Sequence, residues 1–228
     1  MDFGKNLQYL RRLSKNLTQE DLAEKLNVSR QTVSKWETGE ALPEMDKALE
    51  LCKIFNCSLD NLFRDVMPVS DKMYSNLRLE KVKAFRYIMH TVLSSCPEDD
   101  ALNRIFNYAK KFGIENPKVI GWDFPFLSQE QINVYHMHGY TAALILPDEI
   151  KIECQELPIY QQEEHNYAAI HIEHPFDSPF STIPGAYRTL NDFMKVNGWE
   201  HEDKNIIPCF ETAGETMDVY IACKWWAA

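Results

Sequence analysis

Between Thr18 and Gly39 the chain encodes two short helices with room for nothing but a tight turn between them. Thr18 stands as an N-cap with Asp21 three positions later, close to a capping box, which satisfies free backbone N–H groups at a helix start. Leu22, Ala23 and Leu26 then repeat at helical spacing. Asn27-Val28 forms the turn, and Ser29 caps a next helix whose inward residues are Val33 and Trp36. Gly39 stops that helix, because glycine takes a positive φ without strain. Phe3, Leu7, Leu10 and Leu13 predict a helix before the pair, flanked by Arg11, Arg12 and Lys15. After it, Pro43 opens the approach to a fourth helix with Ala48, Leu51, Ile54 and Phe55, and Ser58 caps a fifth with Leu59, Leu62 and Phe63. The expectation is an all-α five-helix domain built around a helix-turn-helix.

The string T-Q-E-D-L-A-E-K-L-N-V-S-R-Q-T-V-S-K-W-E-T-G-E-A-L-P resembles the lambda repressor/Cro-type (Xre) family, and the resemblance covers residues 5–65. It implies a small Ala23 where two helices cross, a buried face at Val33 and Trp36, and a structural acid at Glu37. It also implies that the second helix of the pair enters the DNA major groove, where its first two turns reach base edges. Arg30 and Gln31 sit there, with Lys35 about one turn further along the same face. Gln19 resembles the family's phosphate-anchoring glutamine, at a helix N-terminus that suits an anion. Thr32, Ser34 and Thr38 read either as further phosphate contacts or as plain solvated residues. The implied partner is a double-stranded DNA operator. One module reads about half of it, so a homodimer is expected.

The formal net charge of −10 argues against a protein that coats nucleic acid, but the charge is uneven. The first 65 residues hold ten Lys/Arg and eleven Asp/Glu, leaving 14 and 23 for the remainder. A near-neutral first segment can still present a basic face to phosphate, whereas the acidic second segment favours cationic or neutral ligands. The charged N-terminus is unlike a signal peptide, and no apolar run is long enough to span a membrane, so a cytoplasmic protein without a membrane partner is expected. Cys52, Cys57, Cys96, Cys154, Cys209 and Cys223 form no CxxC pair and read as buried, reduced thiols.

Residues 64–76 break the helical pattern at Pro68, Ser70 and Ser75. The predicted division is a DNA-binding domain at 1–66, a linker at 67–76 and a second domain at 77–228. So short a linker predicts that the two domains touch. From Leu77 the order is extended (Leu77–Ser94), helical (Glu98–Phe112, with Leu102, Ile105, Phe106 and Ala109 inward), then strands at Lys118–Phe126 and Ile132–Ala142. It then repeats: an interrupted strand region at Lys151–Glu173 broken near Pro158, a helix at Thr182–Asn197, and strands at Ile206–Glu211 and Met217–Lys224. Two β-α-β-β repeats of about seventy-five residues predict a pseudo-two-fold α+β domain with a groove between its halves. Grooves at such junctions hold small ligands.

The strings I-K-I-E-C-Q-E-L-P-I-Y, Y-A-A-I-H-I-E-H-P-F and P-G-A-Y-R-T-L-N-D-F-M-K-V-N-G-W-E, with C-F-E-T and D-V-Y-I-A-C-K, resemble the GyrI-like effector-binding family over about residues 77–225. Two departures are His174 before Pro175, where that family usually has Gly, and Ala222, where it often has Pro. The resemblance implies a small-molecule effector site with Glu211 at its floor. A buried carboxylate is costly unless paired, which a cationic ligand would supply. Trp122, Tyr135, Tyr220 and Tyr187, and Trp225 beside them, are either aromatic walls of that site or ordinary core residues.

Other constellations carry less. His136 and His138 share a face on a strand, which can begin a zinc site, but no third ligand has recognisable spacing, and His171 and His174 could join them only through folding. The acidic run Glu98-Asp99-Asp100 reads as the start of a helix. Phosphate loops, dinucleotide fingerprints and nucleophile elbows are missing, so neither cofactor nor metal is expected. The reading is a ligand-responsive regulator. Two alternatives stand: a GyrI-like hydrolase using Glu211 with a neighbouring tyrosine, and a ligand-independent interaction protein binding a partner, such as a topoisomerase, through its acidic domain.

Overall fold

The computed structural model describes residues 3–14, 17–64, 74–148 and 157–224. The first segment forms α1 (Phe3–Leu13), α2 (Gln19–Leu26), α3 (Arg30–Thr38), α4 (Met45–Ile54) and α5 (Leu59–Phe63). Their ends are fixed by the residues expected to fix them. Thr18 and Asp21 complete a reciprocal capping box, Ser29 accepts the Thr32 N–H, and Gly39 ends α3 at a φ of 78°. Asn27 turns the chain in the left-handed region at a φ of 52°. Ser58 also forms a full capping box, with Asn61 as its second member. Phe3, Leu7, Leu10, Leu22, Leu26, Val33, Trp36, Leu51, Phe55 and Leu62 close one core. Gly4 is where α1 meets α3: a Cβ there would lie 2.5 Å from the Glu37 carbonyl oxygen and 2.7 Å from that of Trp36.

The second domain runs β1 (Tyr74–Val82), β2 (Phe85–Ser94), α6 (Pro97–Lys111), β3 (Lys118–Asp123), α7 (Gln129–Asn133), β4 (His138–Leu146), β5 (Tyr160–Gln162), β6 (His165–Ile172), α8 (Pro179–Val196), β7 (Glu200–His201), β8 (Cys209–Thr212) and β9 (Met217–Lys224). The strands join in the order β1-β6-β9-β8-β3-β4-β2-β5, all antiparallel, with β7 beside β9. The expected duplication is present as β2-α6-β3-β4 and β6-α8-β8-β9. In each unit the second strand lies at the centre of the sheet, the third beside it and the first outside. The halves meet where β3 pairs with β8, through Gly121 and Glu211.

The strand that leads into each half pairs with the other half: β1 with β6, and β5 with β2. Only Lys83 and Ala84 separate β1 from β2, yet these stand six strand spacings apart in the sheet order. Two residues span about 7 Å, and six spacings of about 4.8 Å span far more, so the sheet curls to bring its ends together there. The helices α6 and α8 cover one face. On that face Ile88, Ala101, Ile105, Val119 and Leu144 form the α6 core, and Ala168, Ile170, Leu190, Phe193, Val219 and Ile221 the α8 core. Tyr87, Ile120, Tyr167, Phe210 and Tyr220 fill the opposite face.

Several expectations need correction. Residues 77–94 form two strands, broken at Lys83-Ala84, and β1 starts at Tyr74, inside the span assigned to the linker. The strand expected over Ile132–Ala142 starts only at His138, because Ser128 and Gln131 form a capping box that nucleates α7. Within the strand region expected over Lys151–Glu173, Leu157, Pro158 and Ile159 lie outside any strand, and a further interruption falls at Glu163-Glu164, where the chain passes from one half-sheet to the other; residues 151–156 lie outside the described residues. Phe106 is 41% exposed, since the α6 face that packs is carried by Ala101, Ile105 and Ala109. Of the described cysteines, Cys223 is buried, Cys96 is exposed and Cys52, Cys57 and Cys209 are half-buried, all as free thiols. Cys154 and Trp225 lie outside the described residues. The two domains touch, as the short linker predicts: Leu13 of α1 is part of the α8 core, and Val196 of α8 is part of the five-helix core. Among the described residues no helix is long and apolar enough to cross a membrane.

Candidate nucleic-acid interface and ligand site

On α3, Val33 and Trp36 turn inward, which leaves Arg30, Gln31, Lys35 and Thr38 exposed and Thr32 and Ser34 half-exposed. The four exposed side chains lie off the buried face of a helix held at both ends by its caps. Arg30 and Gln31 occupy the first turn, where a helix docked end-on presents base-reading groups. Thr32 shares a hydrogen bond with the Ser29 hydroxyl at 2.9 Å, and the Thr38 hydroxyl donates to the Lys35 carbonyl and to Glu40 at 2.9 Å. These two threonines therefore also serve the ends of α3.

Gln19 is not a loose surface residue. Its side-chain amide donates to Glu37 Oε2 at 2.9 Å. The same carboxylate receives Arg11 Nε at 2.6 Å and a second Arg11 nitrogen at 3.0 Å, while Arg11 also donates to the Leu17 carbonyl at 2.7 Å. Arg11 and Glu37 are nearly shielded from solvent, with side chains 12% and 3% exposed. One buried carboxylate thus ties α1 and α2 to α3. Beside it, Arg11, Arg12, Leu17, Thr18, Gln19, Glu20 and Arg30 line a cavity of about 290 Å³ at the N-terminus of α2. Arg12, Arg30 and the positive end of a helix favour an anion at this surface, with Arg11 already paired to Glu37 and Glu20 opposing.

In the second domain Glu211 is 9% exposed on the sheet face covered by the helices. Tyr187 of α8 donates to its Oε1 at 2.9 Å, and Tyr140 of β4 donates to its Oε2 at 3.5 Å. Gly121 makes the second contact possible. It lies between the two strands, and a Cβ on it would collide with the Tyr140 hydroxyl. Burial pushes Glu211 up to about 7, with Asp123 and Glu98 adding to the rise and the two tyrosine hydroxyls opposing it. Burial likewise raises Glu98 and Asp123, with His138 opposing the rise at both. Burial and the nearby Glu211 carboxylate push the hydroxyls of Tyr140 and Tyr187 well above the usual tyrosine range, so both stay donors. The junction of the two halves is therefore an acidic, desolvated place.

Of the five candidate walls, four lie among the described residues, and of these the structure brings Tyr187 to Glu211 and not the other three. Glu211 pairs directly with Gly121 and with Val219, so the neighbours of those residues, Trp122 and Tyr220, point to the opposite face. Tyr220 there hydrogen-bonds to Arg78 and Glu80. Tyr135 follows α7, is 60% exposed, and reaches Glu130. Tyr140, Glu98 and Asp123 were missed as site residues. The lone glycine within the strand run V-I-G-W-D was the available signal, since a glycine inside a strand marks close approach by another group. His136 has a φ of 49° in the turn before β4, and no metal-binding cluster occurs among the described residues. His171 instead pairs with Asp218 at 2.7 Å.

A five-helix bundle presenting an exposed, doubly capped α3 defines the helix-turn-helix class, and the Helix-turn-helix family model matches residues 7–62. The chain is 46% identical over 57 residues to an HTH-type transcriptional regulator of Methanocaldococcus jannaschii, covering 85% of that protein and 25% of this one. It belongs to that family of HTH-type transcriptional regulators. It is also 48% identical over 62 residues to the HTH-type transcriptional activator BcrR of Enterococcus faecalis. That match covers 27% of this chain and 30% of BcrR, so the chain spans under a third of that relative's length. Among solved structures, a DNA complex of EcmrR aligns over 91% of this chain and 85% of its own, at 10% identity and a TM-score of 0.45.

Proposed function

We propose that this chain is a ligand-responsive transcriptional regulator: a two-fold dimer whose α3 helices read an operator, with a lipophilic cation bound at Glu211. The observation that supports the ligand is Glu211 itself. A carboxylate removed from water at a junction of halves, near two further acids, has no positive partner among the described residues, where hydroxyl donors offset its burial. A cation would supply that partner. The test is calorimetric, with tetraphenylphosphonium as the cation and triphenylphosphine oxide as its neutral counterpart. Glu211→Gln is expected to weaken the cation about tenfold or more while changing the neutral compound little, as loss of a desolvated charge partner demands. Equal losses for the two would refute charge pairing.

On the DNA side, Arg30→Ala is expected to cost about 1–3 kcal/mol with the preferred fragment and to relax base preference at one position. A fragment selected from a random pool by the wild-type protein provides the assay. Unchanged affinity and unchanged preference would remove Arg30 from the reading surface. A second reading has one observation in its favour. A carboxyl held near 7 beside a tyrosine hydroxyl suits general acid–base chemistry. Product formation from the bound compound, absent in Glu211→Gln, would favour a hydrolase.

A further inference from the structure

We propose that α8 is a strut that carries the state of Glu211 to the DNA-reading helix; as far as ligand control is concerned, this rests on the ligand site proposed above. One helix touches both places. Tyr187, in the first half of α8, holds Glu211 Oε1 at 2.9 Å. The last turn of the same helix is seated in the DNA-binding domain. There Val196 enters the five-helix core and α1 returns Leu13 to the α8 core, beside Leu190, Phe193 and Met194. Polar contacts fasten this exchange. The Tyr9 hydroxyl donates to Asp192 at 3.3 Å, and the Asn197 amide donates to the Leu13 carbonyl at the end of α1 at 3.1 Å and to the Phe193 carbonyl at 2.8 Å. Asn56, in the turn after α4, donates to the Lys195 carbonyl at 2.9 Å.

The path continues without a gap. α1 lies so close to α3 at Gly4 that no side chain fits between them, and Arg11 is locked to Glu37 of α3. An α-helix rises about 1.5 Å per residue and is stiff over two or three turns, so a shift at Tyr187 arrives at Val196 as a shift. The N-terminal end of α8, by contrast, is built to give. Pro184 removes one rung of the helix ladder, and among the described residues the buried Thr182 hydroxyl has no hydrogen-bond partner. The stiff part of the strut therefore begins just before Tyr187. A cation that claims the Glu211 carboxylate competes with the Tyr187 hydroxyl for it. α8 then settles differently, and α1 and α3 settle with it.

The experiment is hydrogen exchange on the full chain, followed by mass spectrometry, with no ligand added. Tyr187→Phe removes the hydroxyl at one end of the strut and is expected to change exchange in residues 3–13 by about threefold or more, a range open to local stability changes. In a background of Tyr9→Phe with Asn197→Ala, which leaves Val196, Leu13 and the Asn56–Lys195 contact in place, the same change is expected to reach residues 3–13 at less than half its wild-type size. Asn197→Ala alone, which removes the bond to the Leu13 carbonyl, serves as the milder cut should the double variant melt early. Identical exchange of residues 3–13 in the wild type and Tyr187→Phe would overturn the strut. A second arm adds tetraphenylphosphonium. It is expected to shift the affinity for the selected DNA about fivefold or more in the wild type and by clearly less in the cut background. Coupling undiminished by the cut also overturns the strut. Failure of the cation to bind the wild type counts against the ligand site alone, because the first arm needs no ligand.

Discussion

Glu37→Ala is expected to destabilise the DNA-binding domain by about 3–5 kcal/mol, the cost of leaving a buried charge without its partner. The reason lies in what the one carboxylate holds. Arg11 donates twice to it and Gln19 once, and the side chains of the Arg11–Glu37 pair are only 12% and 3% exposed. After truncation the guanidinium keeps the Leu17 carbonyl but loses its countercharge in a site that water barely reaches. A loss this large is a substantial share of the stability of a small domain. Urea denaturation followed by the fluorescence of Trp36 in a background with the other four tryptophans replaced by Phe, read against Arg11→Met/Glu37→Leu, separates charge from packing. The double variant is expected to recover much of the loss, since apolar replacement of a buried pair is near neutral. A drop below 1 kcal/mol for Glu37→Ala would show that the pair is solvated and that α1, α2 and α3 are held by apolar contacts alone.

The second large effect is on pH dependence. The sign follows from Glu211 being raised in the folded chain to about 7, from an ordinary value of 4.5. Below 4.5 both states are protonated and the shift costs nothing. As pH rises from 4.5 to 7 the unfolded chain releases the proton while the folded chain keeps it, so stability is lost across that window and the loss levels off above it. A shift of this size corresponds to about 3 kcal/mol. Glu211→Gln removes the titration. Relative to that variant, the wild-type protein is expected to lose about 3 kcal/mol between pH 4.5 and pH 8, measured as denaturant midpoints at each pH. Parallel curves for the two proteins would mean that Glu211 titrates normally.

What the chain reveals from its residues alone divides by how local the determining interactions are. The five helices were legible because their ends are fixed within four residues. Thr18 finds Asp21, Ser29 finds Thr32, and Gly39 takes the positive φ itself. The duplication was legible from element order. The wall of the candidate site was not, because strand faces alternate and register decides which residue faces which layer. Trp122 and Tyr220 each stand one residue away from the partners of Glu211, and one residue is enough to put a side chain on the wrong face. Tyr140 lay hidden in a run, Tyr140 to Leu146, that is apolar or small on both faces and so shows no alternation. Its place follows only from the pairing of β3 with β4. The helix α7 was a failure of a different sort. Its capping box was readable, but the apolar residues Ile132 and Val134 suggested a strand.

The exchange of lead strands has a consequence for how this domain comes together. Because β1 is stitched into the later unit and β5 into the earlier one, neither unit completes its own sheet. A fragment ending at Pro147 would keep its helix and three strands, yet its first strand would dangle with nothing to pair against. The two copies are hence interdependent clasps: each must be synthesised before the other can close, and the floor carrying Glu211 exists only once both have done so.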